Sequence, residues 1–135
     1  MTDAEYRTHM SLWAMLAAPL LAGNDLRNMS ASTLEILTNK EVIAIDQDKL
    51  GVQAKQVWKS GDQEIWTRPL SGGATAVAIF NRGKDEAKIT VKWADLQLLK
   101  KKEVRDLWLH QNLNTAGDEY VAMVPSHGVV LLRVK

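Results

Sequence analysis

The chain has 135 residues, with 17 Lys and Arg against 16 Asp and Glu and a formal net charge of +1. That length admits one domain with a substantial core, and the charge balance excludes a general nucleic-acid or membrane-surface binder, which would carry a basic excess. The sequence holds no cysteine, which excludes a disulfide framework, a cysteine-ligated metal site and a thiol nucleophile.

Thr2-Asp3-Ala4-Glu5 has the spacing of a capping box, in which the Thr2 hydroxyl takes the Glu5 amide and the Glu5 carboxylate returns to the Thr2 amide. Tyr6, Met10, Trp13, Ala14 and Ala17 then recur at helical spacing, and Leu12, Met15 and Leu16 widen the apolar face. The pattern predicts a helix buried against something large. Pro19 breaks it. Leu20, Leu21 and Ala22 follow without polar alternation and stop at Gly23, which suits a strand buried on both faces, as in a parallel sheet. The rest of the chain reads as antiparallel, so this strand lacks parallel neighbours. The expectation is that part of a larger fold lies upstream.

No secretory signal is evident, because the apolar run follows an acidic, helix-capping start rather than a basic segment. Pro19 also keeps it shorter than the roughly 20 residues of a transmembrane helix. The chain reads as soluble-protein sequence.

Asn24-Asp25-Leu26-Arg27 begins a loop or a turn of helix. Ser32-Thr33-Leu34-Glu35 repeats the capping-box spacing and predicts a second helix to about Thr38. A third helical turn is expected over residues 41–45. Helix, buried strand, loop and helix is what one unit of a wound α/β fold contains.

The character changes between Asp46 and Gly51, where short strands separated by turn signals begin. Strands are expected over residues 53–59, 63–70, 74–81, 88–93, 103–110, 119–124 and 128–134, about seven in all and close to the usual sandwich number. Ser71-Gly72-Gly73 is a hairpin turn signal. The run from Ala74 to Phe80 is nearly all apolar, which places it centrally. Lys88 to Trp93 alternates and predicts one wet face. Residues 94–99 suit a helical turn crossing between sheets. The expected division is 1–50 and 51–135.

Asp46-Gln47-Asp48 is a close carboxylate pair outside a helix start. A glycosidase acid and nucleophile would have to face one pocket from roughly 5 to 9 Å apart, but a domain-boundary position favours capping and turn hydrogen bonds. The pair also lacks a third metal ligand at any recognisable spacing. His9, His110 and His127 are scattered without metal-binding spacing, and Ser126-His127-Gly128 reads as a turn. Ser11 and Ser126 lack the glycine context of a nucleophile elbow. Of the five tryptophans, Trp58, Trp66, Trp93 and Trp108 fall in the strand-rich half. Indole faces suit sugar rings, but core filling is the plainer expectation, and Trp93 supports it by sharing a face with Ile89 and Val91. Lys100-Lys101-Lys102 is too short and too isolated for a nucleic-acid patch and reads as a solvated edge or turn. Taken alone, these residues assemble no active site.

A resemblance adds to this reading. Residues 5–14, then Ala17-Ala18-Pro19-Leu20 and Gly23-Asn24-Asp25-Leu26-Arg27, resemble the α-galactosidases of glycoside hydrolase family 27. Leu37-Thr38-Asn39-Lys40-Glu41-Val42-Ile43-Ala44-Ile45-Asp46-Gln47-Asp48 continues the likeness, as do Trp66-Thr67-Arg68-Pro69-Leu70, Ala78-Ile79-Phe80-Asn81-Arg82, Arg105-Asp106-Leu107-Trp108 and Ser126-His127-Gly128-Val129. Lys49 departs from it, since the family usually has proline there.

The resemblance implies the last βα unit of a (β/α)8 barrel over 1–50, with Leu20 to Ala22 as its last strand, followed by a C-terminal antiparallel β-sandwich over 51–135. It implies retaining hydrolysis of terminal α-galactosides by two aspartates, without metal or cofactor. Both aspartates lie in motifs on earlier barrel strands that this sequence does not contain, so no catalytic, cofactor-binding or metal-binding residue is carried over, and the chain alone is expected to be inactive. An N-terminal barrel portion is the expected partner and an α-galactoside the substrate. Barrel sites open at the C-terminal ends of the strands, which brings Gly23, Asn24 and Asp25 toward the rim, with helix capping the first role for Asp25. The alternative is a non-catalytic carbohydrate-binding or structural sandwich. Exposed faces of Trp13 and Leu20 would promote self-association.

Overall fold

The computed structural model describes residues 2–16, 30–98, 103–113 and 117–135. The first helix, α1 (Asp3–Met15), opens on the expected capping box, with Glu5 N donating to Thr2 Oγ1 at 3.2 Å and Thr2 N to Glu5 Oε2 at 3.0 Å. The strand expected at Leu20 to Ala22, the loop at Asn24 to Arg27 and the lysine run Lys100 to Lys102 lie outside the described residues.

Helix α2 (Ala31–Leu37) corrects the expected cap. Ser30, not Ser32, is the N-cap, and its hydroxyl accepts from Thr33 N at 3.1 Å. Two serines of similar propensity stand two apart, and only the one three residues ahead of a free amide can close the first turn. Helix α3 (Lys40–Asp46) takes Asn39 as its cap. Asn39 Oδ1 accepts from Glu41 N and Val42 N, while Nδ2 donates to Leu107 O at 3.0 Å. One buried side chain thus starts a helix and pins it to the sheet.

The strands are β1 (Lys55–Ser60), β2 (Gln63–Pro69), β3 (Thr75–Asn81), β4 (Ala87–Lys92), β5 (Val104–Asp106), β6 (Gln111–Leu113), β7 (Glu119–Val124) and β8 (Val129–Val134). They form a six-stranded sheet in the order β1-β2-β3-β8-β5-β6 and a two-stranded sheet β4-β7, all pairs antiparallel. A 3₁₀ turn at Ser71–Gly73 joins β2 to β3, and another at Trp93–Leu96 leads from the small sheet back toward the large one.

The single strand expected over 103–110 is instead a β5-turn-β6 hairpin. Asp106 Oδ1 accepts from Trp108 N at 3.0 Å and Leu109 N at 2.9 Å, curling the backbone away from the ladder. His110 then takes a left-handed φ of 54°. The apolar residues Leu107 and Trp108 disguised this turn as strand.

Strand β3 is apolar from Ala76 to Phe80 because both of its faces are covered. Ala76, Ala78 and Phe80 join Met10, Ala14, Met15, Ile36, Val42 and Ile45 of the helices in one core, and Val77 and Ile79 join Ile89 and Val91 of the small sheet, and Trp93 just beyond it, in the other. The molecule is therefore three layers deep, helices on large sheet on small sheet. Each fully buried aliphatic side chain stabilises this stack by about 1.5–3 kcal/mol, and the helix-side core spans the position, near residue 50, where the sequence changes character. Strand β4 alternates as expected, with Ile89 and Val91 buried and Lys88, Thr90 and Lys92 exposed.

Candidate functional site

The polar centre of the molecule is Arg68, on β2, whose side chain reaches into the helix layer and is fully buried. Its Nε donates to Val52 O at 2.6 Å, and its Nη1 donates to Ala14 O at 2.8 Å and to Ile45 O. Ala14 and Ile45 stand one residue before the ends of α1 and α3, where carbonyls lack helical partners and the helix dipole favours a cation. Arg68 therefore closes two helices and the segment that leads into β1. The sequence offered only a weak sign of this, one arginine in a strand whose neighbours are mostly uncharged.

Asp46 and Asp48 serve this junction in different ways. Asp46 ends α3, and its buried Oδ1 has no hydrogen-bond partner among the described residues. Burial pushes its carboxyl above the ordinary range, with the Arg68 charge opposing the rise. Asp48 Oδ1 accepts from Leu50 N at 3.0 Å and Ser71 N at 2.9 Å, and Oδ2 accepts from Ser71 Oγ at 2.8 Å. Its partial burial works upward, but these bonds and the Arg68 charge outweigh it and hold the carboxyl below its ordinary value. Asp48 thus makes turn hydrogen bonds of the kind expected of it.

A second polar group ties α3 to the hairpin. Glu41 receives Arg105 Nε on Oε1, Arg105 Nη2 on Oε2 at 3.5 Å, and His110 Nδ1 on Oε2. Arg105 Nη1 also donates to Asn112 Oδ1 at 3.1 Å. The Arg105 hydrogen bond is the main reason the Glu41 carboxyl titrates below its ordinary value; partial burial opposes it and His110 assists. Sequence reading missed this group because its members lie 64 and 69 positions from Glu41.

The other two histidines meet in a cleft of about 310 Å³ between α1 and the ends of β3 and β7, lined by Glu5, Thr8, His9, Asn81, Arg82 and His127. His127 occupies a turn, as expected, with φ 54°. Thr8 Oγ1 donates to its carbonyl oxygen at 2.8 Å. Most other polar groups here have structural tasks. Glu5 caps α1, Arg82 pairs with Glu64, and Asn81 Nδ2 donates to the carbonyls of Asp85, Val124 and Pro125. Ser11 Oγ accepts from Trp108 Nε1 at 2.8 Å, and Ser126 Oγ donates to Gly83 O at 2.8 Å, so neither hydroxyl is held by a histidine as a nucleophile would be. Among the described residues no three His, Cys, Asp or Glu side chains are grouped to hold a metal ion, and no helix is long and apolar enough to cross a membrane.

The tryptophans divide. Trp93 is buried between the sheets with its ring stacked on Tyr120 at 6.3 Å, and Trp108 is buried under α1 with the Arg7 guanidinium 5.9 Å from its ring centre. Trp66 is half-buried and donates to Glu64 Oε1 at 3.2 Å; Trp13 is half-buried against the helix-side core beside His9. Trp58 departs from the expected core role and is 39% exposed, because β1 is an edge strand of a sheet wider than the one it faces. Asn24 and Asp25 lie outside the described residues.

Residues 60–134 match the family model described as the α-galactosidase C-terminal β-sandwich domain, and residues 1–48 match the one described as α-galactosidase A. Alpha-galactosidase 2 of Arabidopsis thaliana is 48% identical over 129 residues, 94% of this chain and 33% of its own length. The crystal structure of α-galactosidase I from Mortierella vinacea aligns with a TM-score of 0.92 at 38% identity, over 99% of this chain and 36% of that one. A family 27 β-L-arabinopyranosidase from Geobacillus stearothermophilus aligns at 0.91 and 30% identity, over 100% of this chain and 31% of that one. The chain spans about a third of the length of these proteins.

Proposed function

This chain belongs to the α-galactosidases of glycoside hydrolase family 27, and we propose that it acts as the C-terminal part of such an enzyme, which releases terminal α-linked galactose with retention. Residues 1–50 would complete the catalytic barrel, and residues 51–135 would form the sandwich that braces it. The observation that carries this reading is the pair of family matches, which follow one another in chain order over nearly the whole sequence.

On this reading the chain supplies neither nucleophile nor acid/base. The carboxylates that the fold gathers support that division of labour. Glu41, Glu64 and Asp48 are each held by local partners, and Asp46 is packed beside Arg68. Retaining chemistry needs two carboxyl groups flanking one bond about 5 Å apart, and a longer polypeptide would provide them from its barrel strands. The chain's own contribution is to bury the helices that close the barrel and to fix their ends through Arg68. The substrate would be a glycoside whose non-reducing end is galactose or a close analogue, in keeping with the names of the relatives.

The test is an assay of the purified chain on nitrophenyl α-galactoside, alone and co-expressed with the preceding barrel segment of the Arabidopsis relative. No nitrophenol release alone, and release on co-expression, is the expected result. Release by the chain alone, abolished by Asp25→Asn, would overturn the proposal.

A further inference from the structure

We propose that the sandwich carries a pyranoside-binding cleft built on Trp58. The inference does not rest on the hydrolase reading above.

The cleft follows from the mismatch between the two sheets. Trp58 pairs with Ile65 across β1 and β2, and Ile65 belongs to the core between the sheets. Directly opposite residues share a face, so Trp58 stands on the inner face of the large sheet. Among the described residues the small sheet has two strands against the six of the large one, and Trp58 stays exposed. What remains is a cleft of about 330 Å³ between β1 and the β4 end, bordered by Val57, Trp58, Thr90, Lys92, Asp95 and Leu96 over a floor of Ile65 and Val91. Its size falls at the lower end of the range for small-molecule sites, about 300–1,000 Å³.

The chemistry of the walls selects the ligand. An exposed indole gives a flat apolar face, which matches the C–H face of a pyranose ring. Asp95 accepts and Lys92 donates, the two roles that sugar hydroxyls require of their partners. Lys92 lies opposite Glu119 in the β4-β7 ladder, yet among the described residues neither Lys92 nor Asp95 is held in an ion pair. Trp93, Trp108 and Trp66 are all buried or hydrogen-bonded within the protein. Trp58 combines exposure with a neighbouring acceptor and donor. A single ring with one stacking face implies weak binding, with Kd of about 1 mM.

The test is titration of the ¹⁵N-labelled chain with methyl α-galactopyranoside, following the five tryptophan indole signals. A saturable shift of the Trp58 indole is expected, lost in Trp58→Ala, partly kept in Trp58→Phe, and weakened in Asp95→Ala. Trp58 is exposed, so the variants should fold, which unchanged amide shifts in β3 and β8 will verify. The proposal is overturned if the Trp58 signal does not move, if shifts gather at Trp13 and the His9 cleft, or if Trp58→Ala binds as tightly as the parent. It is also overturned if an extended peptide, and not the sugar, shifts the free-edge amides of β4, which would make the cleft a strand-docking groove.

Discussion

Arg68 and Ala14 stand 54 positions apart, and the Arg68 guanidinium donates to the Ala14 carbonyl at 2.8 Å in a fully buried setting. The contact joins the second strand of the sandwich to the end of the first helix. Because the same side chain also holds Ile45 and Val52, helices and sheet share polar partners as well as an apolar core. Loss of either set would free the other.

Arg68→Met should therefore destabilise the chain by about 3 kcal/mol or more, since it leaves the buried Ala14 and Ile45 carbonyls and the partly buried Val52 carbonyl without their donor. Arg68→Lys keeps a cation but not the planar fork and should fall between. Urea unfolding followed by circular dichroism gives both values. A loss below about 1 kcal/mol for Met would show that the carbonyls find other partners.

Glu41 makes stability depend on pH in a defined direction. Its folded-state pKa lies below the ordinary 4.5, chiefly through Arg105, so its contribution is complete above about pH 5 and is lost as pH falls through the folded value. Glu41→Gln should lower the urea midpoint near neutral pH, and the gap to the parent should close on acidification below 4.5. All three partners are partly exposed, so the gap will be modest and will shrink with added salt. A gap that persists unchanged in acid would assign the effect to packing instead.

Ser11→Ala removes the acceptor for the buried Trp108 indole at the joint between α1 and the hairpin. A cost of about 1–2 kcal/mol is expected, because an orphaned buried donor loses more than the average hydrogen bond. Thermal unfolding measures it, and Ser11→Thr, which restores a hydroxyl, should recover part of it unless the added methyl overpacks the site.

Lys49 offers a gain. Gly51 N donates to Asp48 O at 3.1 Å, so Asp48-Lys49-Leu50-Gly51 is a turn with Lys49 in its second position, and Gly51 takes φ 66°. Among the described residues the Lys49 amide makes no hydrogen bond. Proline is favoured at that position, and Lys49→Pro should stabilise by about 0.4–1 kcal/mol by restricting the unfolded chain. A lower melting temperature in this variant would show that the turn needs the lysine's conformational freedom.

Much of this was legible in one dimension. The capping box at Thr2, the strand pattern after Gly51, the central place of Ala74 to Phe80 and the family likeness all rest on residues close together in sequence, where hydrogen-bond spacing and side-chain alternation are local properties. The sequence by itself therefore determined the kind of fold and the family. It did not determine which of two serines caps α2, that residues 103–110 fold back on themselves, that Arg68 is the shared anchor, or that Trp58 is left uncovered. Those depend on partners 54 positions away and on one sheet being wider than the other. Only the tertiary structure brings such groups together, because a buried charge or an uncovered ring is defined by its surroundings rather than by its neighbours along the chain.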